Sequence, residues 1–322
     1  MPYAQQEKVA DRLGQDVRKM QRDRVEKPAS AMILDSWQQV QADIATHARG
    51  VWGQHAAADG VAYAEGAKVR IAQFMDRQLA SFRTEAVRVL HTAKRHAHDQ
   101  QYLSACWILD QVTPPNVKIR PRREIHERWQ KAKLGEAWSD QPIENAPSGE
   151  AAPANRLEGW LKAWEYAALA GLTLAGVQGD DDSEIAARIE SATADGRDIA
   201  DVLGRLVQSE VQLSIDEGDQ LAADEFEEYI EDRVWQTMED EHVCDICEQN
   251  AGQSVDDVGD EPPAHPWCRC WLRIIPRDWQ SLLDRPIARL APGSMAFRDP
   301  STGDVVGYVT VEFDKWERSV RD

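Results

Sequence analysis

Four of the five cysteines in this 322-residue chain fall within 27 residues, as Cys244 and Cys247, then Cys268 and Cys270. The first pair is Cys-x2-Cys, the second is Cys-x-Cys, and 20 residues lie between them. A Cys-x2-Cys is the right length for a tight turn that aims two thiolates at one metal ion, and a second pair on the returning chain completes a tetrahedral set. His265, three residues before Cys268, is a fifth candidate ligand, and His242 is a weaker one. Zinc accepts sulfur and imidazole and needs four ligands, so one of the five is spare or stands behind the others. Three other readings of these cysteines fit less well. Buried small hydrophobes would not cluster in this way. Disulfides need an oxidising compartment. A catalytic zinc keeps an open position and usually draws on His and carboxylate, whereas thiolates here can fill the shell. The expectation is one structural Zn2+, held by four of Cys244, Cys247, His265, Cys268 and Cys270.

The wider stretch carries a resemblance. Trp235-Gln-Thr-Met-Glu-Asp-Glu-His-Val-Cys-Asp-Ile-Cys-Glu-Gln-Asn-Ala-Gly252, followed by Pro262-Pro-Ala-His-Pro-Trp-Cys-Arg-Cys270, resembles the phage Mu F-like head-morphogenesis family. That family shows a Trp, an Asp, Val-Cys-x2-Cys, a Gly shortly after, and a closing Pro-x-His-Pro-x-Cys-Arg-Cys. Upstream, Arg205-Leu-Val-Gln-Ser-Glu-Val stands where the family has an Arg-Thr-Glu helix, with Ser209 in place of the Thr. The resemblance covers about residues 156–276 and carries Arg205 and Glu210 as a helix signature. It implies a minor head protein: a structural assembly factor at the portal vertex or capsid interior during head assembly and DNA packaging. Portal protein, major capsid protein or both would be its partners. It would sit in the host cytoplasm during assembly and then in the virion head.

Composition bounds the rest. The net charge of −19 is uneven: residues 1–140 hold 22 Lys and Arg against 17 Asp and Glu, while residues 141–322 hold 15 against 39. Two halves with different surfaces point to different partners. The acidic half repels phosphate and opposes nonspecific DNA binding there. The longest apolar run, Ala167–Val177, has 11 residues, short of the roughly 18 of a spanning helix. The N-terminus lacks the basic start and apolar core of a secretion signal. The expectation is a cytoplasmic protein with reduced thiols and no membrane contact.

The elements that must position the cysteines read mostly as helix. Val9, Leu13, Val17 and Met20 make a narrow apolar stripe that Pro28 is expected to end. Ile33, Trp37, Val40, Ile44 and Ala48 make a second stripe. A third runs from Ile71 through Met75, Leu79, Phe82, Ala86, Val89, Ala93 and Ala97, and three such helices read as a bundle. His91, Arg95 and His98 share a face of the third helix and read as a solvated polar face rather than a metal site, and Cys106 reads as a core thiol.

Lys118, Arg120, Arg122, Arg123, Arg128, Lys131 and Lys133 form the one basic cluster, with two Glu among them. It reads either as a contact to DNA or an acidic neighbour, or as a solvated helix with Glu124 and Arg128 paired four apart. Residues 139–155, rich in Pro and small polar residues, read as a linker. Helices then resume with Leu157, Leu161, Trp164, Ala168 and Leu172, with Ser183 as a cap, and with Asp198 opening a last long helix. The nine acids from Asp216 to Asp232 read as a solvated face. Arg233–Met238 and Cys268–Ile275 alternate as strands, and Val305, Val309, Val311 and Phe313 suggest the second arm of a β-hairpin.

The predicted class is α+β, mostly α. A helical N-terminal domain spans 1–138, a linker 139–155, a helical region 156–232, a Cys/His metal module 233–276, and a tail with a β-hairpin 277–322. No Ser-His-Asp pattern, paired apolar carboxylates or nucleotide loop is visible, so an assembly role is expected rather than an enzyme. The alternative is a zinc-containing, nuclease-like DNA-processing enzyme, or a toxin-type enzyme carried on a head-morphogenesis domain.

Overall fold

The computed structural model describes residues 3–53, 61–113, 119–133, 152–193, 196–237, 243–264, 268–278 and 308–319. Among these residues the chain is mostly helical, with one two-stranded antiparallel sheet. This is the α+β, mostly α class that the sequence predicts. No described helix is long and apolar enough to cross a membrane.

The helices are α1 (Tyr3–Gln21), α2 (Lys27–Gly53), α3 (Val61–Val112), α4 (Arg123–Lys133), α5 (Ala152–Gln178), α6 (Asp182–Glu190) and α7 (Ile199–Glu225). Strand β1 (Ile230–Gln236), short helices α8 (Asp245–Asn250) and α9 (Val255–Val258), strand β2 (Trp271–Pro276) and helix α10 (Tyr308–Ser319) follow. They group into two compact units, each discontinuous in sequence. One lies within Met1–Lys27, Thr92–Pro142 and Ser209–Asp322, the other within Pro28–His91 and Ile143–Gln208. This division differs from the successive halves read from the sequence, because the long helices α3 and α7 each contribute to both units.

Pro28 does not end the first helix. A π-helical turn, Arg22–Glu26, joins α1 to α2, and the Lys27 N–H bonds to the Arg22 carbonyl. A proline ring crowds the carbonyl four residues back. The wider π turn stands at that position and carries the helix past it.

The all-helical unit is built on α2, the first half of α3, α5 and α6. Trp37 sits at its centre with Phe82 and Trp164 edge-on, at centroid distances of 5.3 and 4.9 Å. Leu157, Leu161, Ala168 and Leu172 place the inner face of α5 in this core. Asp181, not Ser183, caps α6: its carboxylate accepts from the Ser183 and Glu184 N–H groups, and Glu184 reaches back to complete a capping box. Asp198 caps α7 through the Ala200 N–H, as its position suggests.

In the cysteine-bearing unit, α1 and the second half of α3 pack with α4, the end of α7, α10 and the sheet around Tyr102, Leu103, Trp107, Ile125, Phe226 and Ile274. Tyr308–Phe313, predicted as part of a second hairpin arm, belong instead to helix α10, and residues 294–307 lie outside the described residues. Phe313, Trp316 and Glu317 recur at helical spacing and are buried together. That periodicity outweighs the β-branched residues ahead of it. Arg24 pairs with Asp314 at 3.1 Å, Trp316 Nε1 donates to Asp110 at 3.1 Å, and His126 Nε2 lies 3.6 Å from Glu317.

Candidate metal centre

β1 and β2 pair antiparallel, with Trp235 opposite Leu272 and Gln236 opposite Trp271. The two ends that carry the cysteines therefore leave the sheet side by side. The Trp235 backbone also bonds on its other side, accepting from the Gly252 N–H and donating to the Gln253 carbonyl. Gly252 has φ +81°, a conformation that favours glycine, so the turn after the first cysteine pair closes back on the strand. Cys244 is the N-cap of α8, where its sulfur accepts from the Cys247 N–H at 3.4 Å. Cys268 and Cys270 precede β2 rather than lying in it.

Cys247, Cys268 and Cys270 are all buried, and their sulfurs lie within 4.8 Å of one another. Cys247 and Cys268 are 3.6 Å apart. A tetrahedral site with Zn–S bonds of about 2.3 Å has sulfur–sulfur edges of about 3.8 Å, so the spacing suits a metal. All five cysteines are free thiols. Cys244, predicted as a ligand, is partly exposed and packs against the trio, but its sulfur falls outside the group that lies within 4.8 Å. His265 and His242 lie outside the described residues. Among the described residues this trio is the one group of three or more Cys, His, Asp or Glu side chains able to hold a metal.

The three thiols act strongly on one another. Hydrogen bonding from Cys270 holds the Cys268 thiol down to about 5 against the opposing effect of burial. Burial pushes Cys247 up to about 12, and the Cys270 thiol rises because it donates to Cys268 and is buried. A dication at the centre of the trio would favour ionisation of all three, since metal binding displaces thiol protons. Trp235, fully buried, packs on the cluster.

Several residues around the cysteines escaped sequence reasoning. Gln212 of α7 donates to the Cys270 carbonyl at 2.9 Å and to Asp216 at 3.0 Å. Arg18 of α1 donates to Gln212 Oε1 and, at 3.1 Å, to Gln21 Oε1. Gln21 donates to Gln101, which donates to Asp219 at 2.8 Å. Asp219 is 3% exposed, so the acidic run from Asp216 is not uniformly solvated. The available signal was a glutamine set between apolar neighbours on α7. Trp271, next to Cys270, packs so closely on Gly14 of α1 that a Cβ there would overlap its ring.

The remaining candidates lie elsewhere. Glu210 is buried and pairs with Lys94 at 3.2 Å, and Arg205 is exposed on α7. In the basic cluster, Arg122 pairs with Glu225, Arg123 with Glu127, and Arg128 with Asp99 rather than with Glu124. Arg120 is exposed. Lys118, and the side chains of Lys131 and Lys133, are outside the described residues. Cys106 is a core thiol raised by burial, as expected. No family model, curated protein or solved structure matches the chain.

Proposed function

We propose that the chain is a phage minor head protein of the Mu F-like kind: a structural assembly factor whose cysteine module is closed by one Zn2+. The observation that carries this reading is the convergence of Cys247, Cys268 and Cys270 inside the stretch that holds the family-like motif. In this reading Cys247, Cys268 and Cys270 are three ligands, and Cys244 or His265 completes four. Zinc supplies a cross-link between the α8 turn and the strand that returns as β2, where a small sheet has little core of its own. The ion performs no reaction; it fixes the module as a docking element.

Portal protein, major capsid protein or both are the partners in this reading, met in the host cytoplasm during assembly and kept in the virion head. Three of the seven cations in the cluster already hold carboxylates within the chain. That supports a protein partner over packaged DNA. Elemental analysis of protein purified without added metal or chelator tests the centre, with about one zinc per chain expected. Pull-down against portal and capsid proteins, with metal-loaded and chelated protein in parallel, tests the role. Equal capture of both forms would separate the metal from docking, and capture of neither partner would overturn the head-protein reading.

A further inference from the structure

We infer that Arg18, on the N-terminal helix α1, is a positioning residue of the metal centre: it fixes Gln212, and Gln212 fixes the backbone that carries Cys268 and Cys270. The inference rests on the metal reading above. Arg18 and Gln212 are 194 positions apart, and the guanidinium reaches the Gln212 side-chain oxygen directly. That leaves the Gln212 amide to donate to the Cys270 carbonyl at 2.9 Å. Gln212 is 2% exposed, so its amide has no competing solvent. The second arm of the guanidinium holds Gln21, itself 1% exposed, at 3.1 Å. A guanidinium spans two acceptors with a rigid planar fork that a lysine ammonium lacks.

Charge gives the arrangement its reason. A zinc bound by four thiolates carries a net charge of −2, or −1 with one imidazole. Negative charge in a dry interior needs a cation nearby. Arg18 lies close enough to Cys268 and Asp216 that both act on it. The packing of Trp271 on Gly14 sets α1 against the strand that begins one residue after Cys270. The module is therefore not a self-contained metal knuckle. The N-terminal helix is part of its outer shell.

The test is zinc competition against a chromogenic chelator on the full-length chain. Arg18→Met and Gln212→Met are each expected to weaken zinc binding about 10- to 100-fold, the usual effect of removing an outer-shell partner. The double variant should lose no more than the stronger single one, because Arg18 acts through Gln212. Val17→Ala, a buried neighbour on α1, is the control: it should lower the melting temperature and leave zinc affinity within about twofold. If Arg18→Met fails to fold, Arg18→Lys replaces it, with a loss of at least about threefold expected from the missing fork. Unchanged affinity in the Arg18 variant, full additivity with Gln212, or an equal loss in the Val17 control would each overturn the inference. A wild-type chain that takes up no zinc would instead overturn the metal reading itself, and the inference with it.

Discussion

The Cys247 sulfur lies 3.6 Å from the Cys268 sulfur, 21 positions along the chain: too far for a disulfide and close to one edge of a tetrahedral zinc site. Cys247→Ser and Cys268→Ser are each expected to lose most bound zinc and to destabilise the cysteine-bearing unit. Cys106→Ala, in the α3 core, should keep full zinc. Zinc per chain and the thiol count before and after chelation check this. Full zinc in either serine variant would remove that residue from the ligand set.

Gly14→Ala should destabilise by about 1–3 kcal/mol, because the new methyl overlaps the Trp271 ring in a packed interior. Trp271→Leu is expected to relieve much of that penalty in the double variant. Chemical denaturation of the two single variants and the double variant measures the coupling. Purely additive effects would mean that the contact does not decide the cost.

Burial raises Asp219 to about 6 from an ordinary value of 3.8, against the Gln101 hydrogen bond and the charge of Arg233. The folded state then holds the proton more tightly than the unfolded chain. Stability from this group is full below about 3.8 and falls as pH rises through about 6. Asp219→Asn should therefore gain on the order of 2–3 kcal/mol at pH 7.5 and nothing near pH 3.5. His96 carries the opposite sign. Burial lowers it to about 4, so its contribution is full above about 6.5 and falls as pH drops towards 4. Melting curves of wild type, Asp219→Asn and His96→Gln across pH 3.5–8 resolve the two limbs. A pH-independent gain for Asp219→Asn would contradict the assignment.

Glu210 is 1% exposed and pairs with Lys94, which is 14% exposed. Breaking one side of a buried pair strands a charge, so Glu210→Leu should cost about 3 kcal/mol or more. Lys94→Met with Glu210→Leu should recover most of it. A double variant as unstable as Glu210→Leu would show that the carboxylate serves another partner.

Periodicity made most of the helices legible, because stripes such as Ile71, Met75, Leu79 and Phe82 repeat over many turns and are buried as read. Cysteine spacing likewise marked the centre, since three thiols of one buried cluster come from two short motifs. What stayed hidden depended on distant partners. Arg18 reads as a charge beside an apolar stripe until Gln212 is placed against it. The basic cluster reads as a contact surface, or as a solvated helix with Glu124 and Arg128 paired, until Glu225 and Asp99 reach its arginines. Pro28 read as a helix stop because a π turn leaves no sequence pattern comparable to a cap. The tail was misassigned because the β-branched residues before Phe313 obscured the helical spacing of Phe313 and Trp316.

The three-segment make-up of the cysteine-bearing unit sets an order of events during synthesis. The last residue of the all-helical unit is Gln208, so a ribosome has delivered that unit's whole sequence while the other still lacks its third segment. At ordinary elongation rates the remainder takes on the order of ten seconds to emerge. Helix α1 waits through that interval without β2 and α10, two of the elements that pack on it. A nascent chain stalled near residue 210 would expose the part of α1 that those two elements cover, while one extended past Ser319 would contain both.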